Sequence, residues 1–270
     1  MKNAVFVILV LLFVPTIAHA QVDEQYDYAR AYQDYVFTQD TYDSSLSDYR
    51  LARSQYLQAQ TLVAQTKARD ATVKMLTARD DVIIAYLTAI RLRLTETEGI
   101  GEVTRTGIQE RIDSEVSWFR DHKSRISSAG TLDDLVDDSD EANDRFQETE
   151  KIAYEALSLI AGGKVDVLRG ELSSILSQTR EKSFEIESNG DYDISVVQRW
   201  LEEIEQKITR SLDKSIEAQS LTQEFYGKKG DKASGRSDLF NDVTAAYSEA
   251  MQLLRDGNNF MKEILKGLTG

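Results

Sequence analysis

Residues 28–63 read YARAYQDYVFTQDTYDSSLSDYRLARSQYLQAQTLV. Tyr28, Tyr35, Tyr42, Tyr49 and Tyr56 fall seven residues apart, and Val63 continues the series. Three residues after each stands a small side chain: Ala31, Thr38, Ser45, Ala52, Ala59 and Thr66. The two rows occupy the a and d positions of a heptad repeat. Large rings alternating with small residues let helices approach closely, each ring covering a small partner opposite. A straight helix drifts about 20° per heptad, so holding the rings on one seam implies a left-handed supercoil. The phenol oxygens require partners or water, which makes the seam partly wet. Tyr26, Tyr32 and Phe37 widen the aromatic surface, and beyond Val63 the pattern turns aliphatic through Val73, Leu76, Ile83, Leu87 and Leu94.

Working outward, the first predicted helix runs from about Val22 to Glu98 and stops at Gly99-Ile100-Gly101. At 1.5 Å per residue it would span on the order of 110 Å if straight. Asp40 to Ser45 is its weak spot, because Thr, Asp and Ser compete for backbone hydrogen bonds. A second helix is expected from near Thr106, boxed by Gln109, to Ala129-Gly130. The third starts at Thr131, boxed by Asp134, and carries Phe146, Ala153, Leu157, Ile160, Leu168, Leu172 and Ile175 to about Ser188. Gly162-Gly163 and Gly170 each weaken it by about 1 kcal/mol, marking a kink or close crossing. Asn189-Gly190 closes it. Asp193 caps a fourth helix with Val197, Leu201, Ile204, Ile208 and Leu212 on its apolar face. The glycine-rich loop from Gly227 to Arg236 leads to a fifth, from Asp238, capped by Ser237, to about Leu268.

No segment alternates with period two in β-branched residues, so no sheet is expected. The expected fold is an all-α, elongated antiparallel helical bundle of about five helices with a long N-terminal coiled-coil arm. Residues 21–66 form the arm, and residues 67–270 the bundle continuous with it. From Tyr28 to Leu94 the heptad spacing of Ala and Tyr resembles the helical hairpins of outer-membrane efflux channels. That family also contributes membrane strands and an internal duplication. Neither is found in this sequence, and the chain is not assigned to it.

The N-terminus reads as an export signal. Met1-Lys2-Asn3 is followed by the apolar run Ala4 to Val14, then Pro15, then the small-x-small pattern Ala18-His19-Ala20. The run is shorter than the ~20 residues needed to span a bilayer, so residues 1–20 are expected to be a cleaved signal peptide, with cleavage before Gln21. No second apolar stretch follows, so no transmembrane span is expected in the mature chain. Cysteine is absent, which excludes thiol catalysis, disulfides, lipoprotein anchoring and cysteine-ligated metal. The net charge of −14 would repel phosphate backbones and anionic lipid, so nucleic-acid binding is not expected.

Candidate chemistry is sparse. His122 is the one histidine beyond residue 20, and no Glu stands three residues before it as ferritin-like di-iron sites require. It reads as an exposed helix-surface residue. Residues 230–237 approximate a phosphate-binding loop, but Arg236 stands where the motif needs Lys and no strand precedes it. A flexible connector is the simpler account. Lys228, Lys229, Lys232 and Arg236 make that loop a candidate docking point for an anionic partner. Asp191-x-Asp193-x-Ser195 with Glu202 echoes a calcium loop, but Val196 replaces the glycine of the sharp turn, and capping by Asp193 explains it better. The acids Asp133, Asp134, Asp137, Asp138, Asp140, Glu141 and Asp144 suit a helix start and a solvated face, with weak divalent-cation binding as the alternative.

No catalytic residue, cofactor or metal site is therefore expected. The expectation is an exported, non-enzymatic coiled-coil protein acting in protein–protein interaction at the cell envelope or surface, as scaffold, spacer or adhesion-type component. Tyr28, Tyr35, Tyr42, Tyr49 and Tyr56 are its candidate seam, binding a protein partner or a second copy. The simplest use of the row is to pack on another helix of the same chain, with the third as the natural candidate; stacking on sugar rings is a further alternative. The alternative for the whole chain is an extracytoplasmic bundle that binds or senses a small ligand. A wall-active hydrolase using a carboxylate pair is the enzymatic alternative.

Overall fold

The computed structural model describes residues 26–188 and 195–269. The signal segment, the Asn189-Gly190 stop and the Asp193 cap lie outside the described residues, as does the Asp191 end of the calcium-like stretch, whose Ser195, Val196 and Glu202 belong to a helix. Within them are six α-helices and no strand: α1 (Tyr28–Ala59), α2 (Leu62–Glu96), α3 (Glu102–Ile126), α4 (Leu132–Ser188), α5 (Ser195–Gln223) and α6 (Ala233–Thr269). The fold is an all-α bundle.

The single long helix expected over Val22–Glu98 is instead a hairpin, α1 against α2. Asp40 to Ser45 does not break it. Thr41 and Ser45 donate their hydroxyls to the carbonyls of Phe37 and Thr41, so the helix runs through them. The chain turns at Gln60, whose φ of 42° is left-handed and whose N–H still bonds to the Tyr56 carbonyl. Thr61 then caps α2 by accepting from the Ala64 N–H. A non-glycine residue in that conformation costs roughly 1–2 kcal/mol. Folding back offsets this cost, because a straight helix would leave the whole tyrosine seam in water. Antiparallel register is fixed by the Tyr28 N–H bonding to Glu96 Oε1 at 2.9 Å and by Lys74 reaching Asp48 at 3.1 Å.

The remaining turns lie close to their expected places. Thr131 and Asp134 form the expected reciprocal capping box: each backbone N–H donates to the other's side chain, at 2.8 and 3.1 Å. The helix α3 begins at Glu102, earlier than expected. Gln109 does not box Thr106 but donates to Thr95 at the end of α2. Likewise α6 begins at Ala233, so Ser237 lies inside it rather than capping it.

The helix α4 is the spine, 57 residues and therefore roughly 85 Å long. Its first half joins α2 and α3 around Leu87, Leu94, Ile112, Phe119, Ala156 and Ile160. Its second half joins α5 and α6 around Val165, Leu172, Leu201, Ile204, Val243 and Leu254. Where the halves meet, the α2–α3 turn touches α4 backbone to backbone. A Cβ on Gly163 would lie 2.6 Å from the Glu98 carbonyl oxygen, and one on Gly162 would lie 2.8 Å from the Tyr247 hydroxyl. The glycine pair thus marks a close crossing.

Candidate interaction surface

The helix α1 lies along α2, and its backbone comes within 8 Å of no other helix among the described residues. The small residues make this possible: Ala31 and Ser45 are fully buried against α2, the only buried positions in α1. Tyr28, Tyr35, Tyr42, Tyr49 and Tyr56 are all half-buried, each with one edge in the hairpin and one toward solvent. The row therefore packs within its own chain, and on α2 rather than on the third predicted helix. Tyr35 meets Tyr86 of α2 at 5.2 Å between ring centroids, and Arg93 lies over the Tyr28 ring at 5.0 Å. Burial, then the nearby Tyr35, Tyr154 and Glu150, pushes the Tyr86 phenol up to about 12.

Because α1 rests on α2 alone, a groove opens between α1 and the first half of α4, with α2 as its floor. Near the hairpin turn it is a cavity of about 280 Å³ bounded by Tyr49, Tyr56 and Leu57 on one side and by Leu132 and Val136 on the other. Further along, a second cavity of about 280 Å³ lies between Tyr42 and Phe146, over Val82 and Ile83. Val136 and Phe146 are exposed despite their place on an otherwise core-forming helix. This groove is not legible in the sequence, since heptad spacing says which residues share a face and not which face remains uncovered.

The candidate docking loop is compact. Gly230 packs so closely on the Phe225 backbone, and Gly235 on the Lys229 carbonyl, that neither site has room for a Cβ. Arg236 is buried, bonding Glu150 at 2.5 Å and the Gly230 carbonyl at 3.0 Å, so it anchors the loop rather than facing a partner. Lys228, Lys229 and Lys232 are on the surface, with Lys229 3.6 Å from Asp242. Behind the loop, Arg111 is bonded to both Glu155 and Tyr226. Burial and the Glu155 carboxylate drive the Tyr226 phenol strongly upward.

His122 is not the surface residue expected from the sequence. Its side chain is wholly buried, stacked on Trp118 at 5.0 Å. Nδ1 lies 2.6 Å from Asp80 Oδ2 on α2, and Nε2 lies 2.9 Å from the Asp138 carbonyl on α4. Both nitrogens face acceptors, so the ring ties three helices together when each carries hydrogen. Beside it, Glu115 accepts from Arg145 at 2.7 and 2.8 Å and from Thr149 at 2.7 Å. His122, Asp138 and Glu141 bring potential ligand atoms within 4.8 Å of one another. Two of the three are already engaged: His122 as described, and Glu141 by Arg125 at 3.0 Å. A cation there would have to displace those bonds. Helical periodicity could not reveal this cluster, because its members come from three separate helices.

These features define an elongated all-α bundle with an aromatic hairpin and an open groove beside it. Comparison with family models, with curated proteins and with solved structures found no match to this chain. No helix among the described residues is long and apolar enough to cross a membrane.

Proposed function

We propose that this chain is an exported, non-enzymatic interaction protein of the cell envelope or surface, with the α1–α2 hairpin as its contact element. The observation that supports this reading is the single-sided packing of α1. A helix that touches one neighbour leaves most of its circumference for something else. Here that circumference carries the free edges of the tyrosine row together with exposed Tyr32, Phe37, Leu51 and Leu57. Tyrosine and phenylalanine are enriched in protein interfaces, where a large rigid ring contributes area at little entropic cost. Export is supported by the N-terminal charge–apolar–small pattern and predicts a mature chain beginning at Gln21.

The test is association measured by light scattering after size exclusion, together with capture of envelope-fraction proteins on the immobilised chain. Replacing Tyr35, Tyr42 and Tyr49 by Ser is expected to abolish self-association or capture. Because Tyr35 also packs on Tyr86, a second variant, Phe37→Ser with Leu51→Ser, alters exposed positions alone. Association unchanged in both variants would refute the reading.

A further inference from the structure

The groove between α1 and α4 has the length, lining and charge of a receptor for a helix. From Leu132 to Phe146 it extends 14 residues along α4, about 21 Å. Along it the numbering falls on α1, from Tyr56 to Tyr42, while it rises on α2 and α4, so the two cavities are successive segments of one channel. An amphipathic helix fits such a channel by laying its apolar face between two existing helices.

Charge selects the occupant. Just outside the apolar wall of α4, Asp133, Asp137, Asp140 and Asp144 recur at intervals of three and four, which places them on one stripe along the groove's rim. All are exposed, and none forms an ion pair among the described residues. Four uncompensated carboxylates on one stripe repel one another, and a cationic flank opposite them relieves that repulsion. The α1 wall carries Arg53 instead, so the occupant is oriented with its cations over α4.

We infer that this groove receives a basic amphipathic helix of a partner protein, with its apolar face against Tyr42, Tyr49, Tyr56, Val136 and Phe146 and its Lys or Arg flank against the acidic stripe of α4. The inference rests on the interaction reading above and gives it a site and a partner chemistry.

The probes are two labelled synthetic 18-residue helices with the same leucine face, one flanked by Lys and one by Glu, titrated with the purified protein by fluorescence anisotropy. The Lys-flanked helix is expected to bind at least tenfold more tightly. Phe146→Ser should weaken it about tenfold or more, whereas Val103→Ser, at an exposed position on α3, should leave it unchanged. The pair Asp137→Lys and Asp140→Lys should invert the preference between the two helices, a readout that mere loss of folding cannot produce. Equal binding of both helices, binding of neither, or no inversion would overturn the inference. A dimer that Phe146→Ser dissolves would also overturn it, by making a second copy the occupant. Capture of an envelope partner that survives Phe146→Ser but not the tyrosine variants would reject the groove while leaving the interaction reading standing.

Discussion

Asp80 and His122 offer a sharp test of what holds α2, α3 and α4 together. Both side chains are fully buried and 2.6 Å apart. Replacing either one by Leu leaves the other as a dry polar group without its partner, which typically costs about 3–5 kcal/mol. The lower end, about 3 kcal/mol, is expected for Asp80→Leu. Asp80 Oδ1 is already poorly served, with only Arg79 Nε nearby at 3.5 Å, so the native pair falls short of ideal. His122→Leu also forfeits the stacking on Trp118, worth about 0.5–1.5 kcal/mol more. The double variant removes both polar groups and should recover most of the loss, since apolar replacement of a complete buried pair is often neutral. The assay is urea unfolding followed by circular dichroism, with Trp118 fluorescence in a Trp200→Phe background reporting on this region alone. Separate core clusters share one spine and can unfold in more than one step, so the local probe reads this region by itself. Single variants costing under about 1 kcal/mol, or a double variant costing the sum of the two, would refute the argument that this pair is a coupled, desolvated clip.

Two further predictions follow from burial and backbone approach. Burial raises the Tyr86 phenol from 10.0 to about 12, so the neutral ring favours the fold. Its stabilising contribution is complete below pH 10 and is lost as pH rises through 12; ultraviolet titration should show a late-ionising tyrosine that Tyr86→Phe removes, and a titration unchanged by that variant would contradict the burial. In α4, Gly170→Ala should stabilise by about 0.5–1 kcal/mol, because nothing lies within 4 Å of the new Cβ and alanine favours helix. Gly163→Ala should instead destabilise by about 1–3 kcal/mol, because its Cβ meets the backbone of the α2–α3 turn. Thermal melts in which both variants shift the same way would refute the close crossing.

The glycines show how far the sequence could be read. All three in α4 carry the same propensity penalty, and propensity alone could only mark them as weak. Tertiary contact divides them: Gly162 and Gly163 admit another chain segment, whereas Gly170 faces open space. Helix class, the Thr131–Asp134 cap and the turns at Gly99 and Gly130 were legible because each depends on residues within one or two turns of each other. The His122 cluster was not, because its partners lie 42 and 16 positions away. Lone histidines on a helical pattern carry no mark of which side they face until the neighbouring helices are placed.

The hairpin turn departs furthest from the local sequence pattern, and it changes what the tyrosines can do. Gln60 is no standard helix stop, and neither glycine nor proline marks the turn. The one local signal was Thr61, a good N-cap, set in a run that otherwise continues the heptad. Helix propensity within the expected Val22–Glu98 helix is weakest at Asp40 to Ser45, but Thr and Ser there are satisfied by bonding back to the preceding turn. What decides the break is a long-range gain, in which the small d-row residues let α1 sit close on α2. Placed that way, the tyrosine row gives one edge to its own chain and keeps the other. An unbroken arm would have presented the row as a free coiled-coil seam. The hairpin turns it into one wall of a channel whose opposite wall is α4. On the proposed interaction reading, binding therefore depends on Val136, Phe146 and the α4 acids as much as on the rings. Substitutions on α4 alone should change partner choice with every tyrosine in place.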